Sequence, residues 1–284
     1  MHLQTLLISL LPTLAAGIRP PNIQGMDLVW SESFEGSAGS PPDTQTWNIM
    51  DAIDTNNEVQ KYTTSNHNLQ ISGGGTIQFV PRKSPSSSGG QWTSGRIESK
   101  ESWTPRAGRV TQIAADILVG GNDVGNKQGI WPAFWLLGDA MRHGTPWPAA
   151  GEIDVFEQVN GLAKGHGTLH CGSVPGGPCH ETTGRGGTVD MPLDGFHTWS
   201  VRIDLTNPDW RAQTIRFQLD GVPYFTVCGA DLDDAPVWST LAHSPLYMVM
   251  NVAVGGNWPG PPNDATLDGY GAMMEVRWAA VYSS

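Results

Sequence analysis

Runs of β-branched and aromatic residues recur every eight to fifteen positions along the chain, separated by clusters of Gly, Pro, Asn and Asp. Long 3.6-residue periodicity is missing, so the pattern predicts an all-β fold. The predicted strands are Leu28–Phe34, Leu69–Ser72, Thr76–Pro81, Gly95–Ser99, Arg109–Leu118, Ala133–Leu137, Glu152–Gln158, Gly165–His170, His197–Asp204, Thr214–Leu219, Val222–Val227, Leu246–Val254 and Met273–Tyr282. Two of them, joined by Asp220-Gly221, carry the clearest hairpin signal. So many strands exceed one open sheet; two antiparallel sheets stacked as a sandwich are expected, with a cleft on the concave side. Gly120–Gly129 and Pro175–Gly187 read as loops, and Ser84–Gln91 as a hairpin loop at the cleft edge. Trp30, Trp199 and Trp278 fall inside apolar strand patterns and are expected in the core.

One apolar run, Leu3–Ala16, is shorter than the about 20 residues that span a bilayer, and it ends in small residues suited to signal-peptidase cleavage. Residues 1–17 are therefore expected to be a secretory signal, with 18–284 as a single β domain of an extracellular protein. The formal net charge of −11 argues against nucleic acid or an anionic membrane as partner and is compatible with a neutral polysaccharide. In an oxidising compartment Cys171 and Cys179 make a bridge across the Gly/Pro-rich segment 172–178. Cys228 reads as a buried free thiol, with a bridge to one of the other two cysteines as the competing arrangement. No zinc-ligand spacing is present, and no cofactor or metal is expected.

Candidate chemistry concentrates in Gly151-Glu152-Ile153-Asp154-Val155-Phe156-Glu157, three carboxylates within six residues of a chain that is only 15% charged. Acids this close repel one another, which keeps one protonated near neutral pH while its neighbour stays ionised; hydrolysis of a glycosidic bond uses that combination. In a regular strand Glu152 and Asp154 share a face and Glu157 points away. A β-bulge near Val155 or Phe156 restores the parity, so the motif predicts a bulge. The two Glu side chains would then lean together toward the ~5.5 Å separation of retaining enzymes. A polar strand face with an ion pair is the plainer alternative for such a string. Its flanks, Trp131-Pro132-Ala133-Phe134-Trp135 and Trp147-Pro148, favour the chemical reading, because indoles stack on the apolar faces of sugar rings.

With Asn56-Asn57-Glu58-Val59-Gln60-Lys61-Tyr62, Ser94-Gly95-Arg96-Ile97, Gly167-Thr168-Leu169-His170 and Asn251-Val252-Ala253-Val254-Gly255-Gly256-Asn257-Trp258, these segments resemble glycoside hydrolase family sixteen, in order along nearly the whole chain. The likeness is to its laminarinase-like endo-β-1,3(4)-glucanases. It implies a jelly-roll, concanavalin A-like sandwich, with Glu152 as nucleophile, Glu157 as general acid/base and Asp154 as assisting carboxylate. It places Trp135, Trp147 and Trp258 around the sugar beside the scissile bond, and His170 next to the acid/base; a lone His is otherwise a structural residue. Trp131, Arg96 and Asn57 are further substrate-binding candidates, Arg96 being equally readable as a strand-end ion pair. Where the family often holds Ca²⁺ through an Asp of the last strand, this chain has Arg277, and a cation cannot ligate a cation. No calcium is expected there, and a salt bridge from Arg277 would take its place.

The expected function is a secreted, monomeric, endo-acting retaining hydrolase of β-1,3-glucan, with mixed-linkage β-1,3-1,4-glucan as a further substrate. An endo-β-1,3-galactanase, a transglycosylase and a non-catalytic lectin on the same sandwich are the competing readings.

Overall fold

Alternate positions of the long strands divide between a shared interior and the outside, as a period-two pattern requires. The computed structural model describes residues 18–53, 55–84 and 91–284. The expected secretory signal, and all of the Ser84–Gln91 loop except its two ends, lie outside them. In chain order the strands are β1 (Asp27–Glu32), β2 (Trp47–Ile49), β3 (Gln60–Tyr62), β4 (Leu69–Ile71), β5 (Ile77–Phe79), β6 (Arg82–Lys83), β7 (Trp92–Ser94), β8 (Arg96–Ser99) and β9 (Val110–Val119). They continue as β10 (Ile130–Gly138), β11 (Glu152–Glu157), β12 (Lys164–His170), β13 (Arg185–Asp190), β14 (His197–Asp204), β15 (Thr214–Leu219), β16 (Val222–Cys228), β17 (Leu246–Val254) and β18 (Met274–Ser283).

One large sheet runs β16-β15-β14-β9-β18-β5-β4, with β1 also paired to β18; the other runs β13-β12-β11-β10-β17-β8-β2. All pairs in both are antiparallel, which is the two-sheet sandwich that the pattern predicts. Their inner faces form one apolar core. Leu246, Met248, Met250, Val252 and Val254 of β17 join Phe134 and Leu136 of β10, with Ile113 and Ile117 of β9 and Trp199 and Val201 of β14 in the same cluster. Phe156 meets Trp199 with ring centres 4.6 Å apart, tying β11 to the other sheet. Each such side chain contributes about 1.5–3 kcal/mol by its burial. On β12 the approach is closer still: a Cβ at Gly165 would stand 2.1 Å from the Trp199 ring, and one at Gly167 2.5 Å from Phe217. Only glycine fits there.

The β15–β16 hairpin turns through Asp220 and Gly221, both at positive φ, as its dipeptide predicts. Elsewhere the structure departs from expectation. Strands β2, β3, β6 and β7, of two or three residues, are too short to show a period. β13 begins inside the segment expected as loop, where Gly186 and Gly187 mask a strand signal. Helices α1 (Gly229–Leu232) and α2 (Ala235–Ala242) were not expected either. α2 starts where the Asp234 carboxylate accepts from Val237 N (3.0 Å), with Pro236 in its first turn, and buries Trp238 and Leu241.

Trp199 and Trp278 are buried as expected, whereas Trp30 is only partly buried, against Trp47 and Trp103. Cys171 and Cys179 form the expected disulfide. Cys228 is free as expected but only half-buried, because it opens α1, where its Sγ donates to Asp231 Oδ2 (3.1 Å). Arg277 pairs through Nε with Asp116 Oδ2 at 2.5 Å, the ion pair expected in place of a calcium ligand, and lies over Phe196.

Candidate active site

β11 lies third in its sheet, between β10 and β12, and its irregular register makes the site. Phe134 pairs with Phe156 but Trp135 pairs with Asp154, and on the other side Asp154 pairs with Thr168 while Glu157 pairs with His166. Val155 is the extra residue. Val155 and Phe156 consequently both enter the core, and Glu152, Asp154 and Glu157 all face one cleft of about 1020 Å³. The predicted bulge is therefore present. Lining residues run from Thr188 on β13 across β12, β11, β10 and β17 to Arg96 on β8. At about 4.8 Å per strand, that crossing is roughly 24 Å long.

Asp154 and Glu157 are buried and Glu152 is half-buried, on a surface that holds more acid than base. Burial, then the charges of Glu157, Glu152 and Glu181, push Asp154 well above the ordinary carboxylate range. Glu157 is pushed up to about 7, chiefly by burial, although the Trp131 Nε1–H donates to its Oε1 (2.9 Å) and so favours its charge. Glu152 is raised by burial and held back by His170 and by a hydrogen bond from Trp147. All three shifts favour the protonated form, and Glu157, at about 7, gives and takes its proton near neutral pH. Glu152, Asp154 and His170 each bring a polar atom within 4.8 Å of one another, a spacing that couples their charges.

The register corrects one expectation. His170 pairs with Glu152, not with Glu157; the strand opposite Glu157 carries His166. Antiparallel pairing decides this, since the later residue of β12 meets the earlier residue of β11. The His170 Nε2 stands 3.5 Å from Asp154 Oδ2, and its ring packs on Trp147 at 5.6 Å between centres.

Trp131, Trp135, Trp147 and Trp258 all line the cleft. Trp258 is 45% exposed, edge-on to both Trp131 and His166, which leaves a free apolar face for a ring to cover. Both readings of Arg96 hold at once. Its Nη2 pairs with Glu98 (2.7 Å), its guanidinium lies 4.9 Å over the Trp135 ring, and its buried Nε, without a protein partner, belongs to a residue of the cleft wall. Asn57 donates to Asn257 (2.7 Å), and it is Asn56 that lines the cleft. The sequence reading missed Asn251, Glu58, His166 and Glu181. Trp135 donates to Asn251 (2.8 Å), Asn251 to Tyr62 (3.1 Å), and Tyr62 to Glu58 (3.2 Å), so one polar thread runs under the cleft floor. Strand parity with His170 would have found His166; nothing in the sequence points to the others' placement.

Residues 51–185 match the family model described as "XgeA-like, catalytic GH16 domain". The chain is 30% identical over 265 residues to the "Beta-glucanase" of Rhodothermus marinus, covering 90% of this chain and 85% of that protein. The chain belongs to glycoside hydrolase family 16. This family 16 member also shares its fold with the crystal structure of endo-1,3-beta-glucanase from Streptomyces sioyaensis: TM-score 0.87, 34% identity, 94% of this chain and 99% of the other. It is likewise 30% identical to "Glucan endo-1,3-beta-glucosidase A1" of Niallia circulans over 92% of its own length, while spanning only 38% of that protein.

Proposed function

We propose that this family 16 chain is a secreted, endo-acting, retaining hydrolase of β-1,3-glucan, with mixed-linkage β-1,3-1,4-glucan as a further substrate. The observation that carries the reading is the bulge at Val155, which turns Glu152 and Glu157 toward one tryptophan-lined cleft. Glu152 attacks the anomeric carbon while Glu157 gives its proton to the departing glycosidic oxygen, so the C–O bond breaks as the glycosyl ester forms. Glu157, now a carboxylate, then takes a proton from water as that water displaces Glu152. Asp154, whose hold on a proton is strengthened by burial and then by its acidic neighbours, lies close enough to Glu152 for the two carboxyls to influence each other's charge. A cleft crossing six strands accommodates a polymer threaded through it, which supports attack within the chain.

Three measurements test this. Products from laminarin, mixed-linkage glucan and β-1,3-galactan identify the substrate; galactan cleavage with laminarin untouched would overturn it. NMR of the first-formed anomer should show retention, and an inverted product would sink the double displacement. Products longer than the starting oligosaccharide would mark a transglycosylase instead.

A further inference from the structure

Behind the catalytic carboxyls lies a fourth acid. Glu181 has a fully buried side chain; one of its carboxylate oxygens pairs with His170 Nδ1 at 2.8 Å and the other accepts from the Cys171 N–H at 2.8 Å. The opposite ring nitrogen, Nε2, is the one that faces Asp154. A buried carboxylate on Nδ1 selects the tautomer and fixes the ring plane, because a ring flip would break that bond in a place water cannot repair. The loop that carries Glu181 is itself fastened. The Cys171–Cys179 disulfide anchors it two residues before Glu181, Gly176 and Glu181 exchange both backbone hydrogen bonds (2.7 and 2.6 Å), and Gly184 packs where a Cβ would stand 2.7 Å from the His170 ring. Thr182 and Thr183, the next two residues, line the cleft.

We propose that Glu181 is a positioning residue for the catalytic centre: through His170 it holds Nε2 against Asp154, and the disulfide and the Gly176–Glu181 backbone pair together bring its carboxylate to that place. Glu181 and Asp154 thus flank the imidazole, with Glu152 as the next acid along β11 and Trp147 against the ring face. The arrangement follows the logic of an acid–His pair in which the distant acid touches no substrate, yet decides what the imidazole presents. It rests on the hydrolase reading above only for its effect on turnover; the geometry at His170 stands apart from it.

The test compares the full chain with Glu181→Ala and Glu181→Gln, after disulfide content and thermal midpoint have been checked. Glu181→Ala is expected to lower kcat on laminarin by on the order of 10²-fold with KM little changed, as for a misplaced catalytic group. Glu181→Gln, whose single amide oxygen can still accept from Nδ1–H while its NH2 faces the Cys171 N–H, should recover part of that loss. Imidazole ¹⁵N shifts of His170 should report Nδ1 protonated in wild type and Glu181→Gln, and a mixed state in Glu181→Ala. Wild-type kcat in Glu181→Ala, or an unaltered His170 spectrum there, overturns the proposal. Equal losses in both variants that follow a lost disulfide or a lowered midpoint overturn it too, because Glu181 would then only hold the fold. If the wild type leaves laminarin intact, the substrate reading fails, and the imidazole spectrum still decides the role of Glu181.

Discussion

The division of labour proposed for Glu152 and Glu157 rests on burial and neighbours, not on residue type. Replacing either by Gln is expected to lower kcat on laminarin by about 10³-fold or more while the protein stays folded. For Glu157→Ala, which leaves room for the anion, azide should partly restore turnover of an activated aryl glycoside, and full activity with either Glu replaced would refute the assignment. The kcat/KM profile should be bell-shaped. Its acidic limb reports ionisation of Glu152, and its alkaline limb, near pH 7, reports loss of the Glu157 proton. The same proton affinity acts on stability. Because Glu157 binds its proton more tightly in the folded state, its contribution is fully present below about pH 4.5 and is lost as pH rises through about 7. Glu157→Gln should therefore be more stable than wild type at pH 8, by on the order of 2 kcal/mol, with the difference vanishing near pH 4; urea melts at the two pH values measure it.

Among the elements, β11 and β12 show how local sequence and packing share the work. The bulge was legible because E-x-D-x-x-E violates strand parity, and only an extra residue reconciles three acids with one face. The glycines of β12 were visible as residues but not as a requirement, since their reason is the Trp199 and Phe217 rings arriving from the other sheet. Gly165→Ala should accordingly destabilise the fold by about 1–3 kcal/mol through overpacking, read as a lower urea midpoint at unchanged slope. An unchanged midpoint would mean that Trp199 has room to move. β3, of three residues, and α2, of eight, escaped notice because three residues hold fewer than two strand periods and eight little more than two helical turns.

For the whole molecule, the ion pair of Arg277 with Asp116 bridges β18 and β9 on the large sheet opposite the cleft. Asp116 is almost fully buried, so Arg277→Met leaves a carboxylate with little beyond Thr198 for company. A loss of about 3 kcal/mol is expected, read as a lower urea midpoint. Millimolar Ca²⁺ should leave the wild-type melting temperature unchanged; a rise would show that the guanidinium has not displaced the cation.

Fold class, the acidic strand with its bulge, the indole-rich flanks and the Cys171–Cys179 bridge could be read from the chain alone, because each depends on neighbours within about a dozen residues. The partner of Glu157 could not, and neither could Glu181 behind His170, nor the thread from Trp135 through Asn251 and Tyr62 to Glu58. The thread joins strands remote in sequence, while the partners of Glu157 and His170 lie within a dozen residues but depend on the β11–β12 register and the path of the following loop, which no local period records.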